Sequence, residues 1–258
     1  MFFKKQEPKS VFITGASSGL GAHLAVEYAV AGRTLHLCGR NKERLMATTE
    51  ICRRKGAKVF TYLFDVTDDK AAQKAVETAF KRTSLDLVIA NAGVSAGVIG
   101  MVENTEAVRK IMTTNIFGVL NTILPALDLM RKRRKGHIAL IASLAGYRGM
   151  ASCPAYSASK AAVKSLGEAL YGQQKSHGIH ITTICPGFIE TPLTDKNRFH
   201  MPFLMKADRA ARIIHKNLDR QPALICFPKI MVFAAWFGSC LPSWIALPIF
   251  AKFPRKEK

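Results

Sequence analysis

Short apolar runs alternate with longer amphipathic stretches along most of the chain. Apolar runs with few charges are typical of buried strands, whereas apolar positions repeated every three to four residues are typical of helices. The pattern predicts strands at 10–14, 34–38, 59–64, 85–90, 137–142, 180–185 and 224–227. It predicts helices between them, at 20–31, 42–54, 69–82, 104–132, 155–176 and 207–219.

The alternation of strands and helices predicts an α/β fold. Because each strand is reached through a helix, we expect a parallel sheet with helices on both faces. This is a doubly wound, Rossmann-type sheet of about seven strands, which forms a single domain over residues 1–228. Ligands of such sheets bind beyond the carboxyl ends of the strands. Candidate site residues follow five of the predicted strands: Gly15, Asp65, Asn91, Ser143 and Pro186.

The last part of the chain, residues 229–258, is an apolar tail with basic ends. Positions 230–251 carry no charged residue and are rich in aromatic side chains. This segment is long enough to cross a bilayer, but Pro242, Pro248 and Gly238 argue against one straight helix. Basic residues stand on both sides of it: Lys229 before it, and Lys252, Arg255, Lys256 and Lys258 after it.

We expect the tail to lie at a membrane surface, with its aromatic side chains at the interface and its basic residues near anionic head groups. Packing over the core or against a partner subunit is the alternative. Since the last predicted strand ends at the carboxyl edge of the sheet, the tail should begin beside the substrate opening.

The chain carries a formal net charge of +20 at pH 7. A basic balance favours anionic partners such as phosphate-bearing ligands, anionic lipid head groups or nucleic acid. No helix-turn-helix, zinc finger or aromatic RNA-binding motif occurs, so a nucleic-acid partner is not expected. The six cysteines and seven histidines lack metal-ligand spacing. From that spacing we expect no metal site. Because the N-terminal residues form no signal-peptide pattern, we expect a cytoplasmic location with reduced thiols.

Tyr156 and Lys160 carry the clearest sign of chemistry. They lie four positions apart in a predicted helix, so their side chains share a face. A phenol titrates near ~10 in water and transfers protons poorly at neutral pH. A nearby ammonium group stabilises the phenolate and lowers the pKa of the phenol. The pair therefore predicts proton transfer by Tyr156, assisted by Lys160.

A glycine-rich loop joins the first predicted strand to the first predicted helix. Its glycines allow a tight turn and the close approach of a pyrophosphate, which then sits on the helix N-terminal amides. The spacing is Gly-x-x-x-Gly-x-Gly rather than the commoner Gly-x-Gly-x-x-Gly. The loop reads Thr14-Gly15-Ala16-Ser17-Ser18-Gly19-Leu20-Gly21.

Over roughly residues 8–228, these motifs together resemble the short-chain dehydrogenase/reductase family. The chain departs from the family pattern at Ala90, where many relatives have an asparagine. Further positions that match are Asp65-Val66, Asn91-Ala92-Gly93, Asn115, Ser143 and Pro186-Gly187 with Thr191.

The resemblance implies a catalytic group made of Asn115, Ser143, Tyr156 and Lys160. Tyr156 would exchange the proton, and Ser143 would donate a hydrogen bond to the substrate oxygen. Lys160 would also bind the nicotinamide ribose. Asn115 would interrupt its helix and hold a water that links Lys160 to solvent.

The resemblance also implies a cofactor site. Asp65 and Val66 would hold the adenine, the segment 91–93 would form the floor under its ribose, and Ile189 and Thr191 would hold the nicotinamide carboxamide. The full set of expected cofactor-binding residues is Thr14, Gly15, Ser17, Ser18, Gly19, Leu20, Gly21, Arg40, Asp65, Val66, Asn91, Ala92, Gly93, Tyr156, Lys160, Pro186, Gly187, Ile189 and Thr191.

The end of the second predicted strand indicates which nicotinamide cofactor is bound. An acidic side chain there would bind a ribose 2′-hydroxyl and repel a 2′-phosphate. This chain instead has Gly39 followed by Arg40. Because a guanidinium in this loop pairs with a 2′-phosphate and stacks on adenine, we expect NADP(H) in preference to NAD(H).

Apolar residues after Pro186-Gly187 predict a lid over the substrate. An apolar lid suits a greasy substrate, but it also serves simply to exclude water. A helix packed on the domain is the alternative. The residues concerned are Leu193, Phe199, Met201, Phe203, Leu204 and Met205.

We therefore expect an NADP(H)-dependent oxidoreductase that reduces a ketone, or oxidises the matching secondary alcohol, on a hydrophobic or lipid-linked substrate. The enzyme should be cytoplasmic and peripheral on the cytoplasmic face of a membrane, and the resemblance implies a homo-dimer or homo-tetramer. Two alternatives stand beside this one. They are a soluble carbonyl or 3-oxoacyl reductase whose tail serves oligomerisation, and a non-catalytic cofactor-binding scaffold.

Overall fold

The structure is a computed structural model that describes residues 7–95, 104–195 and 201–251. Phe199 of the expected lid and the basic residues after Ala251 lie outside these ranges. Within them, strands and helices alternate as the hydrophobic pattern predicts.

The described residues form nine strands and nine α-helices. The strands are β1 (Ser10–Ile13), β2 (Thr34–Gly39), β3 (Lys58–Leu63), β4 (Leu87–Ala90), β5 (Gly136–Ile141), β6 (Ile179–Pro186), β7 (Ile189–Glu190), β8 (Met205–Lys206) and β9 (Leu224–Phe227). The helices are α1 (Gly19–Tyr28), α2 (Lys42–Arg54), α3 (Asp69–Thr83), α4 (Thr105–Met112), α5 (Gly118–Arg133), α6 (Pro154–Gln174), α7 (Ala207–Leu218), α8 (Lys229–Cys240) and α9 (Ser243–Ala251).

Seven parallel strands form the main sheet, in the order β3-β2-β1-β4-β5-β6-β9. The direction of winding reverses between β1 and β4, because the chain returns from β3 to the opposite side of β1. The expected doubly wound sheet of about seven strands is therefore confirmed. The short strands β7 and β8 pair with each other after the carboxyl end of β6.

Two apolar layers cover the sheet. Along β1 the side chains alternate, so that Val11 and Ile13 pack in one layer and Phe12 packs in the other. The first layer includes α1, α2 and α7, and the second includes α3, α5 and α6. Because both faces are covered, every residue of β1 is buried. This explains why β1 reads as a continuous apolar run.

The predicted helix at 104–132 is interrupted. α4 ends at Met112, a π-helical turn covers Thr113–Phe117, and α5 begins at Gly118. The turn contains Asn115, where the family resemblance implied a break. π-helical turns inside helices often occur at functional sites.

The C-terminal tail forms two helices rather than one. The break between Cys240 and Ser243 includes Pro242, in agreement with the bent segment expected from the sequence. Pro248 lies inside α9 and does not end it. In the part of the chain that the structure describes, no helix is both long and apolar enough to cross a bilayer.

Candidate active site

The glycine-rich loop lies where β1 passes into α1. Gly15 and Gly19 have φ angles of +68° and +54°, in the left-handed region that glycine adopts at little cost. A Cβ at Gly21 would overlap the carbonyl oxygen of Gly15. Ser18, the N-cap of α1, makes no side-chain cap hydrogen bond. The first amides of α1 are therefore available to an anionic group at the end of the loop.

The segment after β4 holds this loop in place. Thr14 Oγ1 accepts hydrogen bonds from the backbone N–H groups of Asn91 (3.1 Å) and Ala92 (3.2 Å). The Asn91 amide donates to the Thr14 carbonyl at 2.9 Å. A Cβ at Gly15 would lie 2.9 Å from Ala92 Cα. The glycine-rich loop and the segment after β4 are therefore packed directly against each other.

Arg40 and Asp65 form an ion pair that the sequence did not predict. Arg40 Nη1 lies 2.8 Å from Asp65 Oδ2, and Asp65 Oδ1 accepts hydrogen bonds from the N–H and hydroxyl of Thr67. Partial burial raises the pKa of Asp65, but the hydrogen bonds from Thr67 and Arg40 outweigh it, so this pKa lies below its ordinary value. The carboxylate is directed at these two residues, whereas its neighbour Val66 lines the cavity.

A second arginine, which sequence analysis missed, accompanies Arg40. Arg44 lies in the first turn of α2 and lines the same cavity. Its backbone N–H is bonded to the N-cap Asn41 at 2.8 Å, and its guanidinium makes no hydrogen bond or ion pair with the described residues. A cation in the first turn of a helix is disfavoured by the macrodipole unless an anion binds there. The place of Arg44 in the first turn of a predicted helix was therefore the feature of the sequence that could have identified it as an anion-binding residue.

Asn115 connects three segments from the π-helical turn. Its Nδ2 donates to the Val94 carbonyl at 2.9 Å and to Ser159 Oγ at 3.0 Å, and its Oδ1 accepts from the Val94 N–H at 2.8 Å. A Cβ at Gly93 would lie 3.2 Å from Asn115 Oδ1 and 3.5 Å from Lys160 Nζ. Asn115 and Lys160 therefore stand close together beside Gly93.

Tyr156 and Lys160 both line the cavity from α6. Lys160 Nζ lies 5.7 Å from the centre of the Tyr156 ring and donates to the Ile141 carbonyl at 2.9 Å. Burial lowers the pKa of Lys160 to about 8. Burial also raises the pKa of Tyr156 to about 12, and a hydrogen bond with Ser143 partly opposes this rise.

This arrangement differs from the expectation that Lys160 lowers the pKa of the phenol. The ammonium group is directed at the carbonyl of Ile141 in β5, and burial of the phenol has the larger effect. Because the pKa of Tyr156 stays above its ordinary value, the phenol keeps its proton at neutral pH. Protonated phenol is the form that acts as a general acid.

Ser143 follows β5 and begins a 3-10 turn. Its Oγ accepts from the Ala145 N–H at 3.1 Å and is also hydrogen-bonded to the phenol of Tyr156. A Cβ at Gly146 would lie 2.7 Å from the backbone carbonyl atoms of Lys160. The turn that positions Ser143 is therefore packed directly on α6, the helix that carries Tyr156 and Lys160.

The segment after β6 completes the cofactor end of the cavity. Thr194 Oγ1 donates to the Ile189 carbonyl at 2.6 Å and accepts from the Thr191 N–H at 2.9 Å. A Cβ at Gly19 would lie 3.2 Å from Thr191 Cβ, so Thr191 packs against the glycine-rich loop. The expected cofactor residues of this segment that line the cavity are Pro186, Gly187, Ile189 and Thr191.

A continuous cavity of about 1120 Å³ joins these groups. Single-ligand pockets usually measure ~300–1,000 Å³, so there is room for a dinucleotide and a substrate side by side. The loop amides and the arginines suit the phosphates of a dinucleotide. Most expected site residues line the cavity: Gly15, Ser17, Ser18, Gly19, Leu20, Arg40, Val66, Asn91, Ala92, Gly93, Ser143, Tyr156, Lys160, Pro186, Gly187, Ile189 and Thr191. Four others support it through the contacts above, namely Thr14, Gly21, Asp65 and Asn115.

The substrate side of the cavity was only partly foreseen. Of the described lid residues, Leu193 and Phe203 line the cavity, whereas Met201, Leu204 and Met205 do not. Because α8 is apolar nearly all round, its hydrophobic pattern does not indicate which tail residues face inward. The tail residues that line the cavity but were not predicted individually include Ile230, Met231, Ala234, Ala235 and Phe250.

Comparisons with known proteins agree with the fold described above. The model of the short chain dehydrogenase family matches residues 9–201. An uncharacterized oxidoreductase of Myxococcus xanthus is 34% identical over 249 residues, which cover 96% of this chain and 97% of that protein. A solved short-chain dehydrogenase from Sphingobium yanoikuyae in complex with NADPH has a TM-score of 0.79 at 23% identity, covering 96% of this chain and 98% of that one. A short chain dehydrogenase from Mycobacterium paratuberculosis bound to NAD has a TM-score of 0.75 at 23% identity. The match covers 86% of this chain and 97% of that one.

Proposed function

The chain belongs to the short-chain dehydrogenase family, and from this premise we propose that it is an NADP(H)-dependent reductase of ketones on hydrophobic or lipid-linked substrates. As a member of that family, it is an oxidoreductase that acts on CH–OH or C=O groups with a nicotinamide cofactor. Residues 1–228 would form the catalytic domain and residues 229–258 a tail that serves the substrate side.

One observation carries the proposal. Ser143, Tyr156 and Lys160 line one end of a cavity that also contains the glycine-rich loop and Arg40. A cofactor held along the loop would therefore end beside the catalytic side chains.

When bound, the dinucleotide supplies the hydride that the carbonyl carbon accepts. The substrate oxygen then gains negative charge, to which Ser143 donates a hydrogen bond and Tyr156 donates its proton. With a pKa of about 12, raised by burial, the phenol of Tyr156 is protonated at neutral pH and has a proton to donate. Lys160, 5.7 Å from the ring centre, stabilises the phenolate as it forms.

Two arginines support a preference for NADP(H). Gly39 leaves the end of β2 without an acidic side chain, and Arg40 and Arg44 line the cavity beside it. A 2′-phosphate would compete with Asp65 for Arg40, whereas Arg44 has no such partner among the described residues. Since relatives of the same fold are bound to either NADPH or NAD, the fold alone gives no preference.

Steady-state kinetics with both cofactors tests this preference. Arg44→Ala and Arg40→Ala should each lower kcat/KM for NADPH by about tenfold, because each removes a charge-assisted bond to the phosphate. The values for NADH should stay within about twofold of the parent. Arg212→Ala is the matched control, since the one ion pair of Arg212 with the described residues is with exposed Asp208 on α7. Equal losses with NADPH and NADH would contradict the assignment.

The reductase activity is tested with purified full-length protein, NADPH and a panel of ketones of increasing chain length. We expect oxidation of NADPH with one equivalent of secondary alcohol formed. Activity confined to water-soluble ketones or 3-oxoacyl thioesters would favour the soluble reductase. Tight binding of NADPH with no turnover on any carbonyl compound would favour the non-catalytic scaffold.

We also propose that the enzyme is cytoplasmic, peripheral on the cytoplasmic face of a membrane, and a homo-dimer or homo-tetramer. Exposed apolar side chains support a subunit contact: Phe117 in the π-helical turn is 56% exposed, and Leu124 of α5 is 51% exposed. Light scattering of the purified protein measures the subunit number. A monomer at micromolar concentration would remove the oligomer from the proposal.

A further inference from the structure

Residues 229–251, which we call the C-terminal hairpin, present two different faces. One face belongs to the cavity and consists of Ile230, Met231, Ala234, Ala235 and Phe250. The other carries large apolar side chains that are mostly exposed: Phe233, Trp236, Phe237, Trp244 and Leu247. Trp244 is 78% exposed. Phe233 lies against Trp236 and Phe237, with ring centres 6.1 and 6.3 Å apart, and a cluster of exposed apolar side chains of this kind marks an interaction surface.

Arg148 fixes the hairpin to the substrate side of the cavity. Its Nη1 donates to the carbonyls of Ser239 (3.3 Å) and Leu241 (3.2 Å), and its Nη2 donates to Ser243 Oγ (3.3 Å). A cation here satisfies the last carbonyls of α8 and interacts favourably with the helix macrodipole. Because Arg148 also lines the cavity, it connects the turn of the hairpin with the active site.

Two glycines allow the cavity face to pack closely. A Cβ at Gly187 would lie 2.9 Å from the sulfur of Met231, and a Cβ at Gly238 would lie 2.8 Å from the Phe250 ring. Met231 is therefore held against the cofactor-binding segment after β6. Ile230, at the rim of the cavity face, is 64% exposed, and the large side chains of the opposite face are exposed as well.

The charges around the hairpin indicate the chemistry of its partner. No aspartate or glutamate occurs in the sequence between Asp219 and Glu257. Basic residues flank the hairpin in the sequence: Lys229 at its start, then Lys252, Arg255, Lys256 and Lys258. A second copy of this chain would bring like charges together, whereas a bilayer with anionic head groups carries the opposite charge. Tryptophan and lysine are also the side chains that favour the membrane interface.

Resting on the proposed function, we propose that the hairpin docks on an anionic lipid bilayer through its exposed face and that its cavity face receives the hydrocarbon chain of a substrate held in that bilayer. Arg148 is a positioning residue in this arrangement, because it holds the turn of the hairpin over the cavity.

Tryptophan fluorescence tests the docking step. The chain has two tryptophans, Trp236 and Trp244, and both lie in the hairpin. Vesicles of phosphatidylglycerol and phosphatidylcholine should shift the emission to the blue, and brominated phospholipids in them should quench it. Vesicles of phosphatidylcholine alone should bind about tenfold more weakly, and added salt should reduce binding to the anionic vesicles.

Three results would overturn the docking step. They are unchanged emission with anionic vesicles, equal binding to both kinds of vesicle, and a dimer of the protein that the double variant Phe233→Ser, Trp244→Ser dissociates.

Substitutions on the two faces of α8 separate docking from substrate binding. The double variant Phe233→Ser, Trp244→Ser should lower vesicle binding about tenfold or more, since it removes apolar area from the interface. Ala235→Trp should instead fill the cavity face and lower kcat/KM for a long-chain ketone by about tenfold while vesicle binding persists. Identical effects of the two variants on both measurements would refute the division into faces.

The positioning role of Arg148 is tested by comparing KM for a long-chain ketone with KM for a short one. Arg148→Ala should raise KM for a long-chain ketone about tenfold and change KM for a short, water-soluble ketone less than about twofold. Arg148→Lys should restore part of the difference, since an ammonium group still bonds to one carbonyl. Arg212→Ala is the control, and thermal unfolding verifies that each variant folds. Equal effects on both ketones would refute the positioning role.

The short ketone also separates this inference from the proposed function. If no ketone is reduced, the proposed function fails, whatever the vesicles show. If the short ketone is reduced but anionic vesicles do not bind the hairpin, the reductase assignment stands, and the present inference fails together with the proposed membrane location.

Discussion

The glycine-rich end of the cavity and the C-terminal hairpin lie on the same cavity but are held by different forces. At the glycine-rich end, the Thr14 hydroxyl accepts hydrogen bonds from the backbone N–H groups of Asn91 and Ala92, and glycines permit backbone contacts that no other residue allows. The hairpin is held by Arg148 and a few apolar contacts, and most of its large side chains are exposed. The first region is complete within the folded chain, whereas for the second we propose a lipid bilayer as the partner that covers it.

The largest expected effect concerns catalysis at the buried end. Tyr156→Phe removes the proton donor and should lower kcat for ketone reduction by about 10²–10⁴-fold, the usual contribution of a general acid. The dissociation constant for NADPH should change less than about twofold, because the glycine-rich loop is untouched. Stopped-flow kinetics and fluorescence titration measure the two quantities. Residual activity near that of the parent would show that the proton comes from another group.

A glycine substitution tests how rigid the glycine-rich end is. Gly21→Ala places a Cβ against the Gly15 carbonyl and should lower the free energy of unfolding by about 1–3 kcal/mol. It should also weaken NADPH binding, because the loop must shift. Gly172→Ala is the matched control: a Cβ there meets nothing within 4 Å, and the better helix former should raise stability by up to about 1 kcal/mol. Urea denaturation distinguishes the two variants, and similar values would weaken the comparison.

The pH dependence of reduction tests the buried ammonium. The pKa of Lys160 is lowered to about 8 by burial, so the side chain loses its positive charge as pH rises through that value. Log kcat/KM should be level below about pH 8 and fall by up to one unit per pH unit above it. Tyr156, with a pKa near 12, does not titrate in this range. The alkaline fall should vanish in Lys160→Arg, and its persistence there would assign it to another group.

The smallest expected effect concerns the exposed face of the hairpin. Trp244 is 78% exposed, so Trp244→Ser should change the free energy of unfolding by less than about 0.5 kcal/mol in the absence of lipid. Urea denaturation followed by circular dichroism measures it. A loss above about 2 kcal/mol would show that the side chain is packed within the protein and would abolish the contrast between the two regions.

The order of strands and helices was predictable because both faces of a parallel sheet are covered. Buried strands such as β1 and β5 are then mostly apolar, apart from Ser10 and His137, so they are visible in the sequence. The same topology places the ends of all strands at one edge, which is why residues far apart in sequence, such as Gly15 and Ser143, line one cavity.

Other features depended on contacts between distant side chains. The interruption at Asn115 could be expected from family resemblance but not from periodicity, since a π-helical turn adds no hydrophobic signal. The pairing of Arg40 with Asp65 joins residues 25 positions apart. From the sequence, Asp65 was predicted to hold the adenine and Arg40 the 2′-phosphate, and Arg44 beside them was not predicted.

The sequence by itself determined the fold, the glycine-rich loop and the spacing of Tyr156 and Lys160, because local backbone geometry and burial follow from residue type and short-range pattern. Only the tertiary structure decided that Lys160 is directed at Ile141 and that Arg148 holds the hairpin over the cavity. Those contacts arise when separate elements pack together, and the residue types alone allow several such pairings. The same packing decided which face of an almost uniformly apolar helix turned inward and which stayed exposed.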